Sequence, residues 1–348
     1  MIEFTNCNID RISIHGIGNK TNGEDLTISN SIVEIGDIRA RELLYKFFLS
    51  SFSDPEYYSF TFSNEDFTLN PVYIFSKVIF DNVNLFHDTT KDLAKLLYEL
   101  SVHPQIKAGD LFVAYFTGIS LDNIIVDGIG LFKSENKQSF LKLQSEGYSY
   151  SINHDEGINI EKLDKGCLIL NTQNDKGYKI CLVDKSNKSA ETQYWKDDFL
   201  KVKPIANEFF QTNQFLSVAK NFVTKQFSKE FEVSRAEQID LLNKSVEYFK
   251  LHETFDKNEF ETDVFKNQEV IDSFRNFDSQ FRQDNDIELS DQFDISQKAV
   301  KKQARIFKSV LKLDKNFHIY IHGDRELIQQ GVDPDGRKYY KIYFKEES

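Results

Sequence analysis

An α+β fold in two domains is what the sequence predicts, and three observations support this. The chain has 348 residues, of which 40% are hydrophobic, and this length favours two domains over one. Alternating apolar segments typical of strands are concentrated between Gly109 and Asp184, whereas helical spacing prevails after Trp195. We therefore expect residues 1–195 to form an α+β domain with an antiparallel sheet. Residues 203–348 are expected to form a mainly helical domain with closing strands.

The N-terminal segment predicts one hairpin and three helices. Residues 9–15 alternate between apolar and polar side chains, and a Gly- and Asn-rich turn separates them from residues 26–35. The first helix is expected to follow Asp37, which can cap it, and the other two to cover residues 72–80 and 90–100. These helices are rich in Phe and Tyr, so we expect them to flank the sheet.

Six strand-like segments follow Gly109 and are separated by Gly, Asn and Asp turns. The segments read LFVAYF, IIVDGIGLFK, SFLKL, YSYSI, CLILNT and KICLVD. Short turns between successive strands favour antiparallel neighbours. The pattern therefore predicts an antiparallel β meander as the centre of the first domain.

The second domain is predicted to be mainly helical. Ser234 and Glu237 lie three residues apart before an apolar run, which is the capping-box pattern of a helix N-terminus. Residues 253–294 then carry thirteen acidic and four basic residues, a local net charge of −9. Because apolar residues keep helical spacing through this acidic segment, we expect it to be folded.

Residues 296–313 are predicted to form a basic amphipathic helix. At helical spacing Val300, Ala304, Phe307 and Leu311 fall within one narrow stripe, which predicts a packed face. The cations fall on the opposite side: Lys298, Lys301, Lys302, Arg305, Lys308 and Lys312.

The chain is expected to close with strands. Residues 317–322 alternate strictly between apolar and polar side chains. A last pair, residues 326–328 and 338–344, flanks the turn sequence VDPDG. We expect this C-terminal β-hairpin to pair with the strand at 318–322.

The charge distribution bears directly on nucleic-acid binding. A net charge of −12 argues at first sight against a DNA partner, since affinity for DNA comes largely from neutralising phosphates. However, residues 296–316 hold seven basic residues against one acidic residue, a local net charge of +6. This dipolar layout permits DNA binding, although a Lys-rich helical face is equally compatible with a solvated surface.

Composition also excludes a membrane protein. No apolar run approaches the ~20 residues that span a bilayer, and the N-terminus lacks the basic-then-apolar layout of a secretory signal. We therefore expect a cytoplasmic location and no membrane partner.

Two catalytic patterns fail a test of spacing or context. Residues 15–21, HGIGNKT, resemble a phosphate loop, but Asn19 replaces the Gly that should precede the Lys. Asp127, Glu135 and Lys137 have the residue types of a metal-dependent nuclease, in which carboxylates hold a metal and a Lys assists the attacking water. Because Glu135 and Lys137 lie in a polar segment, we rank the nuclease below a non-catalytic function and expect no enzymatic activity.

No cofactor or metal site is predicted. His318 and His322, with Asp324 nearby, could begin a metal site on one strand face, but two histidines on a strand are more often structural. The cysteines show no CxxC spacing and are expected to be reduced: Cys7, Cys167 and Cys181.

Long segments of the chain resemble the bacterial nucleoid-associated protein family of the NdpA type, in the version carried by Bacteroidetes-like bacteria. Among them are HPQIKAGDLFVAYF, VDGIGLFKSENK, KNFVTKQFSKEFEVSRAEQIDLLNKS and AVKKQARIFKSVLKLDKNFHIYIHGDRELI. The resemblance runs nearly from end to end. It implies a nucleoid location, binding to DNA and, in some members, association with a type II topoisomerase.

Together these observations predict a non-catalytic nucleoid-associated protein that acts in chromosome organisation. The basic helix is expected to bind duplex DNA with little sequence preference. The alternative is a protein-binding scaffold that reaches the nucleoid through a partner such as a type II topoisomerase subunit, with the acidic segment as its contact. Two questions stay open at this point: whether the protein forms a homodimer, and whether it contacts DNA directly or through a partner.

Overall fold

The computed structural model describes residues 2–53, 55–184, 194–285, 287–304, 310–313, 317–320, 327–344 and 346. The chain divides into two compact units, Met1–Ile205 and Ala206–Ser348. An antiparallel sheet lies in the first unit, and helices followed by hairpins make up the second. The predicted α+β class is therefore confirmed.

The first unit is organised on an eight-stranded antiparallel sheet. Its strands pair in the order β1-β4-β5-β8-β9-β3-β10, and β2 also pairs with β4. The strands of this unit are β1 Ile2–Glu3, β2 Asn8–Ile17, β3 Tyr57–Phe60, β4 Gly109–Leu121, β5 Ile124–Ser134, β6 Lys137–Glu146, β7 Ser149–Ile158, β8 Lys165–Leu170, β9 Lys179–Asp184 and β10 Val202–Pro204.

The meander is only partly as predicted, because β6 and β7 leave the sheet. Within the described ranges these two strands pair with each other, and β5 pairs directly with β8 from Gly128↔Leu170 to Lys133↔Lys165. The physical reason is burial. All six residues of β8 are buried, whereas β6 and β7 are mostly exposed on both faces and could not fill a central position.

The predicted N-terminal hairpin is wrong. Strand β2 pairs with β4, and residues 26–35 contribute one isolated bridge, Gly16↔Thr27, where a strand was expected. The thirteen-residue apolar strand β4 offers β2 a longer buried partner. The Ser and Asn side chains of residues 29–31 interrupt the apolar alternation of the competing segment.

Helices cover both faces of this sheet, as expected. They are α1 Ile38–Leu49, α2 Pro71–Asp81 and α3 Phe86–Leu100. Asp37 caps α1 by accepting a hydrogen bond from the Arg39 N–H at 2.8 Å, which confirms the predicted helix start. Phe112 and Phe116 of β4 pack with α1 in one core, while Leu111 and Val113 point into a second core with α2 and α3.

The second unit is built on a Phe-rich helical core. Its helices are α4 Glu208–Asn221, α5 Phe227–Glu230, α6 Arg235–Leu251, α7 Lys257–Val264, α8 Gln268–Asp284 and α9 Gln297–Ala304, with a π-helical turn at Phe222–Gln226 between α4 and α5. The capping box is confirmed, since Ser234 Oγ accepts from the Glu237 N–H at 3.2 Å and Glu237 Oε2 accepts from the Ser234 N–H at 2.7 Å. Phe260 and Phe274 lie in the core, so the acidic segment is folded. Across the described ranges, no helix combines the length and the apolar character that crossing a bilayer requires.

The described part of this unit also contains three two-stranded sheets: β11 Thr254–Asp256 with β12 Gln292–Asp294, β13 Val310–Leu313 with β14 Phe317–Tyr320, and β15 Ile328–Val332 with β16 Lys338–Ile342. The prediction of one helix over 296–313 is wrong at its C-terminal end, because residues 310–313 form a strand. Residues 310–313 (VLKL) fit the alternation of a strand as well as the spacing of a helix. Pairing with the antiparallel strand β14 decides in favour of the strand. The predicted pairing of the last hairpin with 318–322 is also not observed among the described residues.

Candidate nucleic-acid interface

Helix α9 has one packed face and one basic face. Its buried residues are Ala299, Val300 and Gln303. Its exposed lysines are Lys298, Lys301 and Lys302. The packed face lies against α4 and α6. The lysines occupy positions i, i+3 and i+4, so their side chains leave the same side of the helix.

Hydrogen bonds fix the orientation of α9 on its neighbours. Gln297 Nε2 donates to the Phe249 carbonyl of α6 at 3.2 Å, and the Ser296 N–H donates to Thr212 Oγ1 of α4 at 3.0 Å. At the other end, the buried amide of Gln303 donates to Asn213 Oδ1. Rotating the lysines inward would break these bonds and bury charge.

The structure brings three of the six predicted cations together on one surface. Lys302 Nζ also lies 5.4 Å from the centroid of the Phe209 ring, a cation–π distance. Arg305 and Lys308 lie outside the described residues. Lys312 was assigned to the helix incorrectly, because its backbone belongs to β13, opposite His318.

A second candidate surface, missed by the sequence reasoning, combines one lysine with aromatic rings on the last hairpin. On one face of β15–β16, Lys341 Nζ lies 4.9 Å from the centroid of the Tyr343 ring, and Tyr343 OH donates to Gln329 Oε1 at 2.8 Å. A hydrogen bond to the Tyr343 hydroxyl raises the pKa of Lys341. Tyr339 shares this face and covers Gly331. Aromatic rings beside cations can stack on exposed bases while the cation meets a phosphate.

The basic helix α9 and the two hairpins both pack on α6. Ile239 of α6 is 1% exposed and packs with Leu313, Ile319, Ile328 and Tyr340, one residue from each of the four hairpin strands. Helix α9 meets α6 at Phe249, ten residues further on, which is about 15 Å along the helix axis.

The buried carboxylates of the acidic segment form ion pairs with lysine and arginine residues of the same segment. Asp278 is 1% exposed and pairs with Lys257 at 2.6 Å and with Arg282 at 2.7 Å. Glu261, also 1% exposed, pairs with Arg275 at 2.8 Å. Most of the remaining carboxylates of this segment are exposed, so its surface is strongly negative. The cations of α9 therefore contrast sharply with the segment that precedes them.

The residues of the nuclease hypothesis do not meet. Asp127 lies on β5 and its carboxylate accepts from Tyr115 OH at 2.8 Å, whereas Glu135 follows the far end of the same strand. Eight residues of strand separate them by about 26 Å. Lys137 instead faces Asp110, with Nζ 3.6 Å from Oδ2.

Glu135 belongs to a buried polar cluster. Its Oε1 lies 3.0 Å from Lys133 Nζ and accepts from Tyr194 OH at 2.9 Å. The Lys133 side chain is 0% exposed, and burial lowers its pKa although the Glu135 carboxylate opposes the shift. Asp164 accepts from the Glu135 N–H at 2.8 Å and so holds the backbone in place. These contacts satisfy the buried charges and stabilise the end of β5.

The histidine metal hypothesis is left untested. His318 is exposed on β14, while His322 and Asp324 fall outside the described residues.

A comparison with curated proteins finds no significant match. The sequence does match the family described as nucleoid-associated protein YejK over residues 13–340. The chain belongs to this family. Membership confirms the resemblance and places the chain among nucleoid-associated proteins.

Proposed function

We propose that this nucleoid-associated protein binds duplex DNA directly, with little sequence preference, through the basic face of α9. The contacts are Lys298, Lys301 and Lys302 on α9, together with the cations that follow this helix in the sequence: Arg305, Lys308 and Lys312, of which Lys312 lies on β13. The protein acts without catalysing a reaction, in the cytoplasm at the nucleoid.

The observation that carries this proposal is the orientation of α9. Buried Val300 and the hydrogen-bonded Gln303 hold one face against the helical core, so the lysines on the other face are presented together. Lysine ammonium groups suit phosphate contacts, which carry no sequence information. Family membership supports a nucleoid role independently of this geometry. The separation of Asp127 from Glu135 supports the non-catalytic part.

A salt titration tests the contact. Each phosphate neutralised on duplex DNA contributes about −0.9 to the slope of log affinity against log salt, so six contacts give about −5. Changing Lys298, Lys301 and Lys302 together to Ala should flatten this slope by about 2.7, because three contacts are lost. Fluorescence anisotropy with a labelled duplex, at about 50 to 200 mM salt, measures the change.

A matched control keeps the change in net charge the same. Lys176, Lys225 and Lys229 are exposed elsewhere, and changing these three to Ala removes the same charge from other surfaces. The control variant should keep the original slope, and urea unfolding should show both variants folded. Equal slopes in the two variants would mean that the α9 face is ordinary solvated surface.

A specific observation favours a second candidate, a scaffold that binds a protein partner. Strands β6 and β7 form an arm whose one face carries Leu141, Leu143, Tyr150 and Ile152, each at least 65% exposed. Exposed apolar patches on a folded protein mark protein interfaces. The partner to test is a type II topoisomerase subunit. In this candidate the β6–β7 arm, and not the acidic segment, makes the contact.

Pull-down with a purified type II topoisomerase subunit separates the two candidates. Changing Leu141, Leu143 and Ile152 to Ser should abolish capture and leave DNA affinity unchanged, whereas Ile124 and Ile125, equally exposed on β5, serve as the control pair. Light scattering of the same variants reports whether the arm instead forms a homodimer. If the variants capture the subunit as well as the original protein does, the arm is not the contact.

A further inference from the structure

Three potential metal ligands converge where α6 ends and α7 begins. His252 follows the last residue of α6, and Glu259 and Asp263 lie four residues apart on the same side of α7. One donor atom from each lies within 4.8 Å of the other two, and His252 Nε2 is 3.8 Å from Glu259 Oε1. Two ligands of a tetrahedral zinc at about 2.1 Å would lie about 3.4 Å apart, so only a small movement is needed.

The His252 ring is held by contacts outside this cluster. Its Nδ1 is 2.9 Å from the Tyr248 carbonyl, which can only accept, so Nδ1 carries the proton. The ring also stacks on Tyr248, with centroids 4.1 Å apart and planes 19° from parallel. In the neutral imidazole the lone pair is therefore on Nε2, directed toward Glu259. Metal-binding histidines are oriented in this way by a partner on the other ring nitrogen.

Tyr248 also positions the Glu259 carboxylate. Its hydroxyl donates to Glu259 Oε2 at 2.8 Å, which leaves Oε1 on the side of His252. One tyrosine thus orients two of the three ligands.

The backbone that carries these groups is well anchored. Asp256 caps α7 by accepting from the Asn258 and Glu259 N–H groups at 2.9 and 3.1 Å. Phe260, between the two carboxylates, is 0% exposed and packs in the helical core. Asp263 is exposed, so the cluster is open to solvent on one side.

We propose that His252, Glu259 and Asp263 bind a divalent first-row transition metal ion, with water completing its coordination. One imidazole and two carboxylates suit Zn²⁺, Co²⁺ and Mn²⁺, with affinity rising from Mn²⁺ to Zn²⁺. Mg²⁺ and Ca²⁺ prefer all-oxygen ligands and should bind more weakly. The competing explanation of the same geometry is an ion pair between a protonated His252 and the carboxylates. This site is independent of the DNA contact proposed above.

Metal titrations of the full-length protein test the site. Isothermal titration with Zn²⁺, after removal of metals by chelation, should give one site per chain, and Co²⁺ should produce a visible absorption band. His252→Ala and Asp263→Asn should each weaken Zn²⁺ binding at least about tenfold. The Asp263 variant guards against misfolding, since this side chain is exposed on α7.

The matched control is His154→Ala. His154 is exposed on β7 beside Asp155 and Glu156, so it can bind metal adventitiously without a built site. Zn²⁺ affinity should be unchanged in this variant. Metal binding that is equal in the His252, Asp263 and His154 variants would overturn the proposal. So would His252 imidazole NMR signals that respond to pH but not to Zn²⁺, because they would identify the ion pair alone.

Discussion

Acid should destabilise this protein through one buried histidine, His15. The side chain lies on β2 and is 1% exposed. Its Nδ1 accepts from the Ser29 N–H at 3.2 Å, so Nε2 carries the proton and donates to Thr90 Oγ1 at 3.0 Å. A second proton would have to displace the Ser29 contact. Burial lowers the pKa of His15 to about 4, and the nearby His87 and Lys91 add to this.

The magnitude follows from the two pKa values. An unfolded histidine titrates at 6.5 and the folded His15 at about 4. Between these values the unfolded chain holds a proton that the folded chain does not, so stability falls as the pH falls. Each pH unit well inside this window removes about 1.4 kcal/mol. Lowering the pH from about 7 to about 5 should therefore reduce the free energy of unfolding by about 2 kcal/mol through His15 alone.

Urea unfolding at both pH values measures this loss. His15→Gln keeps a donor and an acceptor but cannot titrate, so its loss between the two pH values should be smaller by about 2 kcal/mol. His154→Gln, on the exposed arm, should lose as much stability as the original protein. Identical pH dependence in His15→Gln and the original protein would refute the reasoning.

Three further perturbations test the fold. Ser234→Ala removes the cap of α6 and should cost about 1 kcal/mol in urea unfolding, and an unchanged midpoint would show that the cap contributes nothing. Lys133→Met leaves the Glu135 carboxylate buried without its ion pair and should cost about 3–5 kcal/mol; adding Glu135→Gln should restore part of the loss, and failure to do so would exclude an electrostatic cause. The fragments 1–205 and 206–348 should each unfold cooperatively when expressed alone, as followed by circular dichroism, whereas a fragment without a transition would contradict two independent domains.

Features set by neighbouring residues could be predicted from the sequence. The helix starts at Asp37 and Ser234 are decided within four residues, by side chains that accept hydrogen bonds from free backbone N–H groups. The order of the sheet depends on which strand can be buried on both faces, a property of the whole layer. The pairing of β5 with β8 therefore could not be derived from spacing along the chain.

Among the candidate sites, too, some follow from neighbouring residues and others depend on the fold. Lys298, Lys301 and Lys302 could be found because amphipathic spacing places a cation face opposite an apolar stripe. The position of Lys312 on a strand could not be predicted, because residues 310–313 (VLKL) fit both a helical and a strand period. Pairing with β14 decides between the two. Lys341 and the tyrosines of β16 had a visible signal, since RKYYKIYFK interleaves cations with aromatic residues. His252 reaches its carboxylates only through the turn between α6 and α7.

The charge layout defines what kind of DNA contact the proposal allows. Screening acts over about 8 Å at physiological ionic strength, so carboxylates farther than this from α9 have little effect on phosphates bound there. The net charge of −12 is therefore a poor guide to binding, whereas the immediate surroundings of α9 matter. Asp294 precedes α9 by three residues and is exposed, and it would repel a phosphate that approached the helix N-terminus. Binding should consequently be weak, and the duplex should lie nearer the C-terminal end of α9 than its N-terminal end.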